Sequence, residues 1–302
     1  MAGFAWDRGD RIGEEKKLLF AGIDIGSATT KVVIRGEDGI VASTARPTDA
    51  EHRRLAHEVM LDTLGGADLT FEQIDFLVAT GYGRINVPFA DTQISEITCH
   101  MRGVSWLFPG VRTVIDIGGQ DSKGIKVMDG KVRDFIMNDK CAAGTGRFLE
   151  VIADTLGLKL EDIGEMSLRS RQPAGISKTC AIFAEQEVLL RLSEGVPMED
   201  ILAGLHKALA DRIYAMVTKI RIERDVVITG GGAKNAGLVK WLEERIGFPA
   251  LRPAEPFITG ALGASIIAQE LAAKTGEREL MQKKKARTLQ AATFFDEDQR
   301  EE

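Results

Sequence analysis

The chemistry this sequence offers is concentrated in two cysteines and in glycine-rich turns that follow short apolar runs. Cys141 in MNDKCAAGTGRFLE (137–150) and Cys180 in SKTCAIFAEQE (177–187) stand thirty-nine residues apart, each just ahead of an apolar-periodic segment. Each thiolate is therefore expected at or beside the start of a helix, where unpaired backbone N–H groups and the helix dipole favour negative charge. Two such thiolates per chain fall short of the four that an iron–sulfur cluster usually takes, but two copies meeting across a two-fold axis would supply four. The cysteines thus point to a dimer with a shared redox centre.

The first of the turns ends the apolar run from Leu18 to Ile25 and reads Asp24-Ile25-Gly26-Ser27-Ala28-Thr29-Thr30-Lys31, with β-rich Val32-Val33-Ile34 beyond it. A strand, a small-residue turn and a second strand let backbone N–H groups and the Ser27 and Thr30 hydroxyls approach phosphate oxygens. Lys31 would serve as a cation and Asp24 would hold a hydrated Mg²⁺. An ordinary hairpin accounts for these residues equally well. The plan recurs about ninety residues on in Asp116-Ile117-Gly118-Gly119-Gln120-Asp121-Ser122-Lys123, and the recurrence weakens the ordinary account. Two such units suggest two similar domains facing each other across a cleft, each presenting one phosphate-binding hairpin. Gln120 could then orient an attacking water and Asp116 assist the metal, since hydrolysis of a terminal phosphate depends on positioning more than on covalent chemistry. A third turn ends the strand-like Val226-Val227-Ile228-Thr229 in Gly230-Gly231-Gly232 and leads through Asn235 into a helix; such glycines let a flat adenine or ribose lie against backbone.

The elements that must position these turns follow from periodicity. Helices are expected over 53–64, 95–107, up to Ile246 and over 260–273, and strands over 18–25, 76–80, 111–117 and 124–127. Cys99 and His100 fall among apolar neighbours on one of the helices and are read as a small buried thiol with a satisfied histidine. Small residues on one face of 260–273 permit close packing, as at a hinge between domains. The expected organisation is a charged arm over 1–17, a first domain over 18–110 completed by 259–274, a second over 111–258 that carries the cysteines, and a charged, partly ordered tail over 275–302 containing Phe294 and Phe295.

The 302 residues, 44% hydrophobic and 28% charged, suffice for two ordinary cores. A net charge of −6 argues against a nucleic-acid or acidic-membrane surface. No apolar stretch has bilayer length and the first seventeen residues lack a signal-peptide core, so a cytoplasmic protein is expected. Three cysteines make no disulfide framework, and there is no P-loop, no C-x-x-C pair and no dinucleotide fingerprint after a strand.

Taken in order, Asp24-x-Gly26-Ser27, Asp116 to Asp121 and Thr229 to Gly232 resemble the acetate and sugar kinase, Hsp70 and actin superfamily of ATPases. With NDKCAAGTGRFLE and TCAIFAE added, the chain resembles one branch far more closely, the BadF/BadG/BcrA/BcrD-type ATPases, over roughly Leu19 to Lys274. The resemblance implies an α/β fold of two similar actin/Hsp70-like (ribonuclease H-like) domains around an ATP cleft. It also implies that Cys141 and Cys180 of two subunits hold one 4Fe-4S cluster between them, with Cys99 outside it. The function implied is an ATPase, with Mg²⁺, that takes an electron from ferredoxin or flavodoxin. It passes that electron at low potential to an iron–sulfur partner acting on a CoA thioester, either a 2-hydroxyacyl-CoA dehydratase or a benzoyl-CoA reductase. The second subunit would be an identical chain or a homologous one. A cluster-free small-molecule kinase, an actin-like scaffold, a zinc site on Cys99, His100, Cys141 and Cys180, and inert buried thiols are the competing readings.

Overall fold

The computed structural model describes residues 18–177 and 181–289. The apolar run at its start forms β1 (Leu19–Ile25), buried along its whole length. It returns antiparallel through β2 (Thr29–Gly36) and β3 (Gly39–Pro47). Helix α1 (His52–Gly65) buries Leu55, Ala56, Val59 and Met60 on one stripe and carries the chain back to β4 (Ile74–Thr80), which pairs parallel to β1. The short β5 (Thr92–Gln93) completes a sheet of order β3-β2-β1-β4-β5. Helix α2 (Glu96–Leu107), capped by Ser95, leads out of it.

The same plan then repeats. Strands β6 (Thr113–Ile117), β7 (Ser122–Met128) and β8 (Lys131–Asn138) form an antiparallel meander. Asp129 and Gly130, both at positive φ, make the two-residue turn between β7 and β8, which matches the strand twist. Helices α3 (Gly146–Thr155), α4 (Leu160–Ser167), α5 (Ala181–Ser193) and α6 (Met198–Val217) precede β9 (Val226–Thr229), which pairs parallel to β6 and gives the order β8-β7-β6-β9. Helix α7 (Ala236–Ile246), α8 (Thr259–Ala272) and α9 (Glu277–Ala286) follow. Among the described residues no helix is long and apolar enough to cross a membrane.

Strand alternation decides what lies between the sheets. One face of the first sheet, with Ile23, Ile25 and Leu77, packs on α1; the other, with Phe20, Phe76 and Val78, packs on Cys99 of α2 and Ala264 and Ala268 of α8. In the second sheet Ile115, Ile117 and Ile228 face α3, α4, α6 and α7, whereas Val114, Ile125 and Val227 face Ile97, Met101 and Val104 of α2. Helices α2 and α8 therefore form a layer sandwiched between two sheets, so α2 belongs to neither lobe alone. Small residues make the layer thin. A Cβ on Gly103 would overlap the Thr259 carbonyl, one on Gly263 the Cys99 carbonyl, and one on Gly22 the Ala261 carbonyl.

The charged tail expected beyond Thr275 is docked through its described part. Lys284 Nζ lies 2.8 Å from Asp75, and Arg287 lies 2.9 Å from a buried Asp91 with its guanidinium over the Phe71 ring. The arm over 1–17, Cys180, Phe294 and Phe295 lie outside the described residues.

Candidate functional site

The two hairpins correspond in register as well as in sequence. Asp24 is the cross-strand neighbour of Lys31, and Asp116 that of Lys123. Each turn closes through one backbone bond, Gly26 N–H to Thr29 O at 3.1 Å and Gly118 N–H to Asp121 O at 2.9 Å. Each aspartate also lies beside the last residue of a parallel strand, Thr80 or Thr229, and beneath a positive-φ glycine, Gly81 or Gly230, whose missing Cβ leaves room for the carboxylate. The repeated plan has thus built the same acidic corner twice.

The corners face each other. A Cβ on Gly119 would overlap the Ala28 side chain, so the two turns touch across the cleft. Asp24 and Asp116 are buried, with Lys31 Nζ 3.3 Å from Asp24 and Lys123 Nζ 3.3 Å from Asp116. Lys123 also reaches Asp121 at 2.7 Å and Glu96 at 3.7 Å. Burial by itself pushes the Asp116 carboxyl up, but His100, Lys123 and, from the opposite lobe, Lys31 together hold it below the usual range. Burial likewise opposes the charge on Lys123, and Asp116, Asp121 and Glu96 outweigh it and raise the ammonium. Buried carboxylates balanced by lysines suit a site that takes a hydrated divalent cation and a polyphosphate.

The other candidates read from the sequence divide. Ser27 and Gln120 sit in the facing turns, Gln120 exposed, and Gly118 and Gly119 form the second turn itself. Gly230 abuts Asp116 in that corner, whereas Gly231 lies against the Phe257 ring and Gly232 against Ile117 on the opposite face of β6. Thr30 is not brought there. It pairs with Ile25, on the face opposite Asp24, and its hydroxyl bonds Thr48 at 2.9 Å. The Asn235 side chain caps α7, its oxygen accepting from Leu238 N–H at 2.9 Å.

One residue at the centre of the cleft has chemistry that its place in the sequence conceals. His100 extends from α2 so that Nε2 lies 3.5 Å from Asp116 and Nδ1 3.2 Å from the Thr259 hydroxyl at the start of α8. Its only sequence signal is a histidine among apolar residues, which a satisfied core histidine shares. Its neighbour Cys99 is core, its thiol pushed up to about 12 by burial.

Cys141 is half-buried and opens the single 3₁₀ turn Ala142–Gly144 that runs into α3. The Arg212 guanidinium of α6 donates to its Sγ at 3.0 Å, and Asn138 Nδ2 donates to its carbonyl at 2.9 Å. A cysteine sulfur held by a guanidinium beside a helix start suits a thiolate ligand. Helix α5 opens at Ala181, the residue after Cys180. Among the described residues no group of three His, Cys, Asp or Glu side chains is arranged to hold a metal ion. The start of α3 is tied to the cleft, with Gly146 N–H donating to Gly118 O at 2.9 Å and Arg147 N–H to Gly119 O at 2.8 Å.

Two sheets of the same plan, facing each other through aspartate-bearing hairpins, define an actin- and Hsp70-like ATPase fold. Residues 21–268 match the BadF/BadG/BcrA/BcrD ATPase family, and the chain belongs to it. It is 42% identical over 262 residues to the 2-hydroxyisocaproyl-CoA dehydratase activator of Clostridioides difficile, covering 86% of this chain and 97% of that protein. It is 33% identical over 261 residues to a subunit of the benzoyl-CoA reductase of Thauera aromatica, covering 82% of this chain and 92% of that one. Among solved structures, the activator of the 2-hydroxyisocaproyl-CoA dehydratase from Clostridium difficile with bound ADPNP matches with a TM-score of 0.82 at 42% identity, over 85% of this chain and 96% of the other.

Proposed function

We propose that this protein is an ATP-hydrolysing, iron–sulfur electron-transfer protein that donates single electrons at low potential to a partner acting on a CoA thioester. The observation that carries the reading is the pair of backbone hydrogen bonds from the start of α3 to Gly118 and Gly119. They join the turn that faces phosphate to the helix that begins five residues after Cys141. The identity to a dehydratase activator over nearly its whole length favours this reading over a small-molecule kinase, and favours a 2-hydroxyacyl-CoA dehydratase over a benzoyl-CoA reductase as partner.

In the cleft, the Ser27 hydroxyl and the Gly119 N–H offer polar hydrogens to the phosphates from turns that Gly26 and Gly118 close, while Lys31 and Lys123 offset their charge. Asp24 and Asp116 would hold a hydrated Mg²⁺ ion, which would supply charge neutralisation, and Gln120 would orient the attacking water. Gly230 to Gly232 leave backbone bare for the nucleoside. The two sheets and their outer helices close on ATP, with α2 and α8 as the layer between them, and α3 follows the 118–119 turn. Cys141 and Cys180 of two subunits would hold a 4Fe-4S cluster, which supplies one-electron storage, with ferredoxin or flavodoxin as donor. Arg212, donating to the Cys141 sulfur, favours the more negative state, so a shift of α3 against α6 changes how strongly an electron is held. The exposed face of α5, with Phe183 and Leu190 more than half accessible, supports pairing with a second subunit, identical or homologous.

Two variants test the two halves separately. Cys141→Ser purified anaerobically should lose its iron while still binding Mg-ATP, and Asp24→Ala should keep iron and lose ATP turnover. A normal iron content in the first removes Cys141 from the ligand set; a parent rate of hydrolysis in the second removes Asp24 from the ATP site.

A further inference from the structure

We propose that His100 is the positioning residue that sets the Asp116 carboxylate opposite Asp24 and ties it to both helices between the lobes. The inference rests on the reading of the cleft as the ATP site. Its ground is the set of elements that meet at one imidazole. The ring is borne by α2 and buried. Nδ1 meets the Thr259 hydroxyl of α8, and that hydroxyl lies 3.0 Å from the hydroxyl of Thr229, the last residue of β9. Nε2 faces Asp116 on β6. On the remaining side is Asp24 of the first lobe: the position a Cβ would take on Gly260 is 2.6 Å from Asp24 Oδ2 and 3.1 Å from His100 Nε2. Helix α2, helix α8 and both acidic hairpins thus converge on a single side chain.

The hydroxyl chain fixes the ring in place. The Thr229 and Thr259 hydroxyls both donate to the Pro256 carbonyl, at 3.0 and 3.4 Å, and the Thr259 oxygen stands 3.2 Å from Nδ1, so the ring is held on the α8 side by a hydroxyl that is itself anchored. Unlike Lys123, which holds Asp116 from within its own hairpin, His100 holds it from the helical layer. A change in how α2 and α8 sit against the second sheet is therefore delivered to the carboxylate that faces the nucleotide. The role is orientation, so its loss should appear in turnover more than in affinity.

Side-chain length separates the two nitrogens. His100→Asn keeps a polar group near the place of Nδ1, within reach of Thr259, and loses Asp116; His100→Gln places an amide nitrogen near Nε2 and restores the contact to Asp116. In steady-state ATP hydrolysis by the whole protein, the Asn variant should lose about tenfold or more in kcat with KM within about threefold. The Gln variant should return kcat to within about threefold of the parent. Parent-like kcat in the Asn variant, equal losses in both, or a loss carried by KM would overturn the proposal. If the Asn variant does not fold, Thr259→Val reads the same tether from its other end, and unchanged kcat there would overturn the proposal too. A parent protein without ATP turnover, or Asp24→Ala at the parent rate, would refute the reading of the cleft itself, a different failure from that of His100.

Discussion

His206 gives the fold an acid limit whose size can be worked out. It sits on α6, fully enclosed, where α4, α6 and α7 meet; Nδ1–H donates to the Leu202 carbonyl at 2.7 Å, and Gly237 of α7 lies against the ring. Burial lowers its pKa from 6.5 to about 4, against a smaller opposing effect of hydrogen bonding. In the unfolded chain the ring takes up its proton near pH 6.5, whereas in the fold it resists until about pH 4. Between those values the unfolded state binds more protons, so the stabilisation is whole above the unfolded pKa and is lost as pH falls. From this linkage about 2 kcal/mol disappears by pH 5 and about 3 kcal/mol by pH 4. Carboxylates titrate in the same range, so the measurement must be a difference. Urea unfolding of the parent and of His206→Asn, which retains a donor for Leu202, should be followed from pH 7.5 to 5. The stability difference between them should shift by about 2 kcal/mol in favour of the variant as pH falls. A difference constant to within about 0.5 kcal/mol across that range would refute the claim that the ring is held neutral by burial.

Two further outcomes are expected. Gly260→Ala places a methyl 2.6 Å from Asp24 Oδ2 and should lower ATP turnover by about tenfold or more; parent-like turnover would show that the corner yields without cost. Arg287→Ala strips the counter-ion from the buried Asp91, whose carboxyl burial already pushes up, and should destabilise the protein by about 3 kcal/mol in urea unfolding. Asp91→Asn in the same background should recover part of that loss, and no recovery would rule out the uncompensated carboxylate as its cause.

The sequence by itself determined the strands that flank the three turns, the turns and their duplication, whereas the half-exposed β3 and the two-residue β5 were not legible in it. Alternating or continuous apolar runs ending in Asp-Ile-Gly or Thr-Gly-Gly report backbone requirements that are local. A tight turn needs small residues, a positive φ favours glycine, and a buried strand needs a β-rich run. The same locality made Cys141 recognisable as the residue ahead of a helix. Partners distant along the chain were decided only by tertiary structure. Arg212 reaches Cys141 from 71 residues away, Arg287 reaches Asp91 from 196, and Thr259 reaches His100 from 159. Periodicity tells which face of an element is covered and says nothing of what covers it. His100 therefore reads as a core histidine until α2 is placed between the two sheets. Thr30 shows the converse: its neighbours in sequence suggest a phosphate contact, but the pleat turns it to the face away from Asp24. Which side of a sheet a residue takes, and what waits there, is fixed by strand register and helix crossing, and both are properties of the assembled fold.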